Sequence, residues 1–176
     1  YRDVSWEYEN GIISFSDALG NSDQNPWVSI DLVAHEIGHS MLDVISARPN
    51  IQSLPGILDE GFPDVVGIAV RHFAKPNTAN FEFADEIFVN PGQSLRSLSN
   101  PTVNTYGSNA WNMYTGKYDR AGLLGKWFYL ASAGGNGTND LGQNYSVNGV
   151  GTEDTMKALY DAFDLVSGDV SVEDLA

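Results

Sequence analysis

A mainly helical α+β fold, with strands confined largely to a leading hairpin, follows from three patterns in the chain. Ile30, Val33, Ala34, Ile37, Met41, Val44 and Ile45 recur at helical spacing, which marks one core-facing stripe. Met156, Leu159, Tyr160 and Phe163 repeat that spacing near the end of the sequence. Leu123, Leu124, Trp127, Phe128 and Leu130 crowd the segment from Arg120 to Ala133, a density that reads as a buried helix.

The elements follow in order. Residues 1–20 carry Tyr1, Val4, Trp6, Tyr8, Ile12, Ile13 and Phe15 around Glu9-Asn10-Gly11, the signature of a hairpin turning at Asn10-Gly11. Asn21 to Pro26 is a polar loop. Ser29 stands where an N-cap belongs, with Asp31 in the first turn, where a negative charge suits the helix dipole. That helix should stop near Arg48, because Pro49 disfavours helical geometry in the residue before it. A second helix is expected from about Ile57–Asp59 to Phe73, with Pro63 tolerated in its first turns. Residues 75–119 are irregular and too long for a passive connection. Gly134 to Gly151 is Gly- and Asn-rich, a solvated loop or ribbon, and Thr152 is the expected cap of the last helix.

Composition narrows the chemistry. The 176 residues include 23 acidic and 9 basic side chains, a net charge of −14. Nucleic-acid binding needs clustered Lys and Arg and is therefore not expected. No cysteine is present, so any metal must be held by His, Asp or Glu. No apolar run is long enough to cross a bilayer, and no signal peptide stands at Tyr1, so a mature or trimmed chain is expected.

Two of the chain's three histidines lie in the string His35-Glu36-Ile37-Gly38-His39. On a helix, residues four apart share a face, so His35 and His39 can grip one cation while Glu36 reaches a water beside it. Glu60, on the second helix, is the candidate third ligand, leaving an open position as a hydrolytic zinc site requires. A third His six residues after His39 would mark a metzincin, but Ile45 stands there and Leu42 replaces the intervening Gly. That subclass is excluded.

The stretch Asp31 to His39, followed by Leu58-Asp59-Glu60-Gly61-Phe62-Pro63-Asp64-Val65-Val66-Gly67, resembles the thermolysin-like neutral zinc metalloproteases, a gluzincin family. The likeness continues through Ser94 to Pro101, Gly125 to Leu130, Gly134-Gly135 and Val147 to Gly151. Two His and one Glu form thermolysin's own zinc set. The resemblance implies a secreted zinc metalloendopeptidase acting on peptides or proteins, with residues 29–176 as its helical lobe and residues 1–28 as the end of a β-rich lobe. Glu36 is then the general base toward zinc-bound water, and His35, His39 and Glu60 are the zinc ligands. Asp64 would orient His35, and Asp59 could orient His39. Arg96 would lie by the substrate, Leu32 and Leu95 would line the pocket, and Asp3 and Val4 would hold the peptide backbone.

Three departures qualify the likeness. The family's His that donates to the oxyanion is matched best by Tyr118, within a shortened loop from Tyr114 to Gly122. Asp31, Glu82 and Asp85 match calcium-binding acids, but the bridging acid is replaced by Arg71, whose guanidinium can stand for a cation. One calcium or none is expected rather than two. Most of the β-rich lobe and the final helices are missing, so a further lobe or propeptide belongs with this chain, or it is a fragment. A catalytically silent, zinc-bearing scaffold or binding module derived from such a protease is the alternative reading. His72 lies three turns along the second helix from Glu60 and reads as core or surface.

Overall fold

The long central helices meet at two glycines, and that contact organises the molecule. The computed structural model describes residues 4–7, 9–18, 23–48, 51–53, 55–165 and 168–171. Strands β1 (Val4–Glu7) and β2 (Ile12–Phe15) pair antiparallel, Val4 opposite Phe15. Gly11 closes their turn at φ +61°, a conformation glycine adopts without penalty. Helix α1 spans Ile30–Ser46, β3 Ile51–Ser53 and α2 Leu58–Ala74.

Helices α1 and α2 run antiparallel and closely packed. A Cβ at Gly38 would sit 2.7 Å from Pro63 Cα, and one at Gly67 would sit 2.6 Å from the Asp31 carbonyl oxygen. Only hydrogen at both positions permits this approach. Phe62, Leu58, Val65 and Ile68, all fully buried, carry α2 into the core. Phe62 meets Phe163 edge-on at 5.5 Å between ring centroids.

Short strands β4 (Glu82–Phe83) and β5 (Arg96–Ser97) pair antiparallel within the long connection. Helix α3 covers Asn109–Met113 and α4 Lys117–Ala133. An exposed ribbon follows, β6 (Gly135–Thr138) with β7 (Asn144–Val147), and then α5, Thr152–Ala162. Strand β8 (Gly168–Asp169) returns parallel to β3. The hairpin docks on α1 through Trp6 Nε1, which donates to Asp43 Oδ2 at 3.1 Å.

Several expectations need correcting. Ile37 and Val44 are 48% and 69% exposed; the inward face of α1 instead includes Asp31, Leu32, His35, Glu36, Gly38 and Leu42. Apolar periodicity misplaced the stripe because three of its inward residues are polar. Ser29 does not cap α1 through its side chain; its hydroxyl donates to Asp31 Oδ1 at 2.5 Å. Helix α4 begins three residues before Arg120 and buries Ala121, Gly125, Phe128 and Ser132, leaving Trp127 43% exposed. Gly151, not Thr152, is the N-cap of α5, and Tyr160 on that helix is exposed.

The acids expected to bind calcium surround a side-chain cation. Arg71, buried on α2, donates from Nη1 to Asp85 Oδ1 at 2.6 Å and to the Glu82 carbonyl oxygen at 3.0 Å. The same nitrogen lies 3.4 Å from Asp31 Oδ2. Asp31 is wholly buried and also accepts from the backbone of Leu32 and Ala84. Burial would raise the Asp85 carboxyl, but Arg71 and Asn80 hold it below its usual range. The Glu82 carboxylate is taken by the hydroxyls of Ser94, Ser97 and Ser99.

Two outcomes follow from this packing. Gly38→Ala should cost about 1–3 kcal/mol, because the added methyl meets Pro63 backbone; denaturant unfolding measures it, and an unchanged midpoint would count against the close approach. Arg71→Met should cost about 3 kcal/mol, since Asp31 and Asp85 lose their shared counter-charge. A midpoint within error of the parent protein would show that the other donors to Asp31 suffice.

Candidate metal centre

Because α1 and α2 touch at Gly38, the third side chain needed for a cation site, Glu60 on α2, faces the first two. His35 and His39 project from one face of α1, their rings perpendicular with centroids 4.7 Å apart. Their Nε2 atoms are 3.1 Å apart. From α2, Glu60 Oε2 comes within 3.5 Å of His35 Nε2. One donor atom from each of His35, His39 and Glu60 falls within 4.8 Å of the others, a group able to hold a metal ion. Glu36 is 3% exposed and lines the same cavity of about 520 Å³.

A chain of contacts stands behind His35. Its Nδ1 lies 2.9 Å from Asp64 Oδ1, one turn beyond Glu60 on α2. Arg96, on β5, grips Asp64 with both arms: Nε to Oδ2 at 2.6 Å and Nη2 to Oδ1 at 2.5 Å. The guanidinium is sandwiched in turn, 4.7 Å from the Phe83 ring centroid and 5.1 Å from that of Tyr118. Bidentate pairing of this kind fixes geometry as well as charge. Asp64 is therefore held in one orientation behind the imidazole.

Protonation reflects the same arrangement. Burial alone would push the His35 imidazole down, but Asp64 and Glu60 overcome it and raise the ring to about 9. Burial, reinforced by the charge on His35, pushes His39 down to about 4. For Glu60, burial acts upward and is outweighed by His35 and Lys117, which hold it below its usual range. At neutral pH the extra proton thus rests on His35, and His39 Nε2, 3.1 Å from His35 Nε2, is the unprotonated partner placed to accept from it.

The remaining candidates divide. Tyr118 stands on the first turn of α4, 54% exposed, at the rim of the cavity. Val4 and Leu32 line that cavity, and Leu95 and Arg96 separate it from a neighbouring one of about 540 Å³. Arg96 spends its contacts on Asp64 rather than standing free. Asp59 is exposed, although partial desolvation pushes its carboxyl up against the pull of Lys117, and it has no hydrogen bond to His39 among the described residues. Asp3 lies outside the described residues. His72 is remote from the cluster, its Nε2 3.2 Å from the Asn80 carbonyl oxygen. Sequence reasoning passed over Lys117, whose Nζ lies 2.6 Å from Glu60 Oε1.

A family profile described as thermolysin metallopeptidase, alpha-helical domain, matches residues 50–167. The chain belongs to the thermolysin family. It is 30% identical over 141 residues to the thermostable neutral protease NprT of Geobacillus stearothermophilus, covering 76% of this chain and 24% of that protein. Identity is 28% over 171 residues to neutral protease B of Bacillus subtilis, covering 92% of this chain and 29% of that protein. It is 29% over 179 residues to the transglutaminase-activating metalloprotease of Streptomyces mobaraensis, covering 92% and 22%. The chain thus spans about a quarter of the length of these thermolysin-family relatives. The profile match takes in Glu60, Asp64, Arg96, Lys117 and Tyr118, while His35 and His39 lie before it. No helix among the described residues is long and apolar enough to cross a membrane.

Loading the centre must displace the His35 proton, because a metal-bound imidazole is deprotonated. Apparent zinc affinity should therefore rise about tenfold per pH unit until about 9, with one proton released per ion near neutrality. Calorimetric titration in two buffers of different ionisation enthalpy measures that release. Affinity independent of pH across the neutral range would contradict the assignment.

Proposed function

We propose that this chain is the zinc-bearing helical lobe of a metalloendopeptidase that hydrolyses peptide bonds. The observation that carries the proposal is the convergence of His35, His39 and Glu60, with Glu36 beside them and Asp64 fixed behind His35 by Arg96. The donor set fits zinc: two imidazoles and one carboxylate, in a chain without thiolates. When bound, zinc would supply the Lewis acidity that polarises a carbonyl and acidifies water.

The protein's own groups do the rest. Glu36 takes a proton from the attacking water and delivers it to the leaving amine. Asp64 keeps the outer nitrogen of His35 occupied, so that its inner nitrogen faces the cavity. Tyr118 presents a phenol at the rim, where an O–H can donate to the developing oxyanion in place of the family's His. The apolar side chains of Leu32 and Leu95 favour a hydrophobic residue next to the scissile bond.

Residues 1–28, which include the β1–β2 hairpin, are read as the close of a β-rich lobe, and Val4 as a site where peptide backbone lies. An extracellular location belongs to the same reading. Calcium does not enter it as a required cofactor, since Arg71 already neutralises Asp31 and Asp85.

The test is hydrolysis of a quenched peptide by the purified protein. Activity should vanish with a zinc chelator and return with zinc. Glu36→Gln should bind zinc equally and lose at least about 10²-fold in rate. Equal turnover by both proteins would exclude Glu36 as the base. Stoichiometric zinc with no turnover in the parent chain would favour the silent scaffold.

A further inference from the structure

Lys117 occupies a position that its helix does not favour. It is the first residue of α4, where the positive end of the helix dipole opposes a cation. Its stem is half-exposed, and its ammonium nonetheless turns inward to Glu60 Oε1 at 2.6 Å. The other oxygen of Glu60, Oε2, is the one directed at His35. The two oxygens of that carboxylate are thus assigned to different partners.

The neighbours reinforce the division. Arg96 Nη2 is 4.0 Å from Glu60 Oε2, too far to hold it as Lys117 holds Oε1. Lys117 Nζ also lies over the Tyr118 ring, 5.0 Å from its centroid, so the ammonium is steadied on a second side. Glu60 itself is buried, with 5% of its side chain accessible, whereas Lys117 keeps 52%. Water cannot easily replace Lys117 as the partner of a carboxylate oxygen that deep.

We propose that Lys117 is a positioning residue of the metal centre: by occupying Glu60 Oε1 it leaves Oε2 alone to face the ion. A carboxylate free to use both oxygens would fill a second place on the cation, the place a hydrolytic centre keeps open. Withdrawing Oε1 keeps that place available and holds the Glu60 side chain in the rotamer that meets His35 and His39. The inference rests on the zinc reading above, and its test separates the two.

Lys117→Met keeps the aliphatic stem and removes the charge; Lys117→Arg keeps the charge. Zinc dissociation constants by chelator competition, and the visible absorption of the cobalt(II) forms, are compared for the three proteins in their full length. With Lys117 acting as argued, Lys117→Met weakens zinc about 10–100-fold and its cobalt form absorbs more weakly, as extra coordination by a bidentate carboxylate requires. Lys117→Arg restores most of the affinity and the parental spectrum. If Lys117→Met fails to fold, Lys117→Arg against the parent protein still decides: a cobalt spectrum and zinc affinity unlike the parent's would overturn the positioning role. Unchanged or tighter binding by Lys117→Met, with the parental spectrum, overturns it as well while leaving the centre intact. A parent protein that takes up neither metal overturns both this inference and the zinc reading.

Discussion

Everything at the centre depends on how near two helix axes can come. Gly38 against Pro63 and Gly67 against the Asp31 carbonyl set that distance, and neither contact has room for a methyl group. The imidazoles come from one helix and the Glu60 carboxylate from the other, so the interhelical distance is also the ligand distance. A packing constraint and a coordination constraint are here the same constraint. This is why a glycine falls inside the His35–His39 string: the residue beside the two histidines, where α1 meets α2, must let α2 in.

Two guanidinium groups, Arg71 buried and Arg96 half-buried, then manage the acids that this arrangement brings together. Arg96 immobilises Asp64 behind His35, and Arg71 gathers Asp31, Asp85 and the Glu82 carbonyl from three separate segments. Each forms its contacts where a carboxylate is nearly or wholly buried, the setting in which an unpaired charge is most costly. Planar, many-donor arginine, with its donors in a fixed fork, suits this task better than lysine, a point charge on a flexible stem. Lys117, with its single contact to Glu60, illustrates the difference.

Much of this was legible in the sequence, and the misses have physical causes. Helical spacing put His35 with His39 and Glu60 with Asp64 on shared faces, and the structure brings His35, His39 and Glu60 within reach of one another. The thermolysin-family resemblance and the mainly helical fold were equally legible. The buried face of α1 was misread, since a periodicity search weights Ile37 and Val44 above Asp31 and Glu36, although the latter pair is buried. Lys117 was missed because its role depends on where α4 starts, and a Gly116-Lys117 junction carries no strong start signal. The capture of Arg96 by Asp64 is a tertiary contact, 32 residues apart in sequence, that no local pattern encodes.

The cation at the Asp31–Asp85 junction has one property no dissolved ion shares: it is covalently attached. It cannot be diluted away, stripped by a sequestering agent or outcompeted by another ion. The elbow formed by residues 80–88 is therefore tied to α1 and α2 by a counter-charge that is always present, whatever cations the medium holds. In place of an adjustable affinity, the chain has a permanent one.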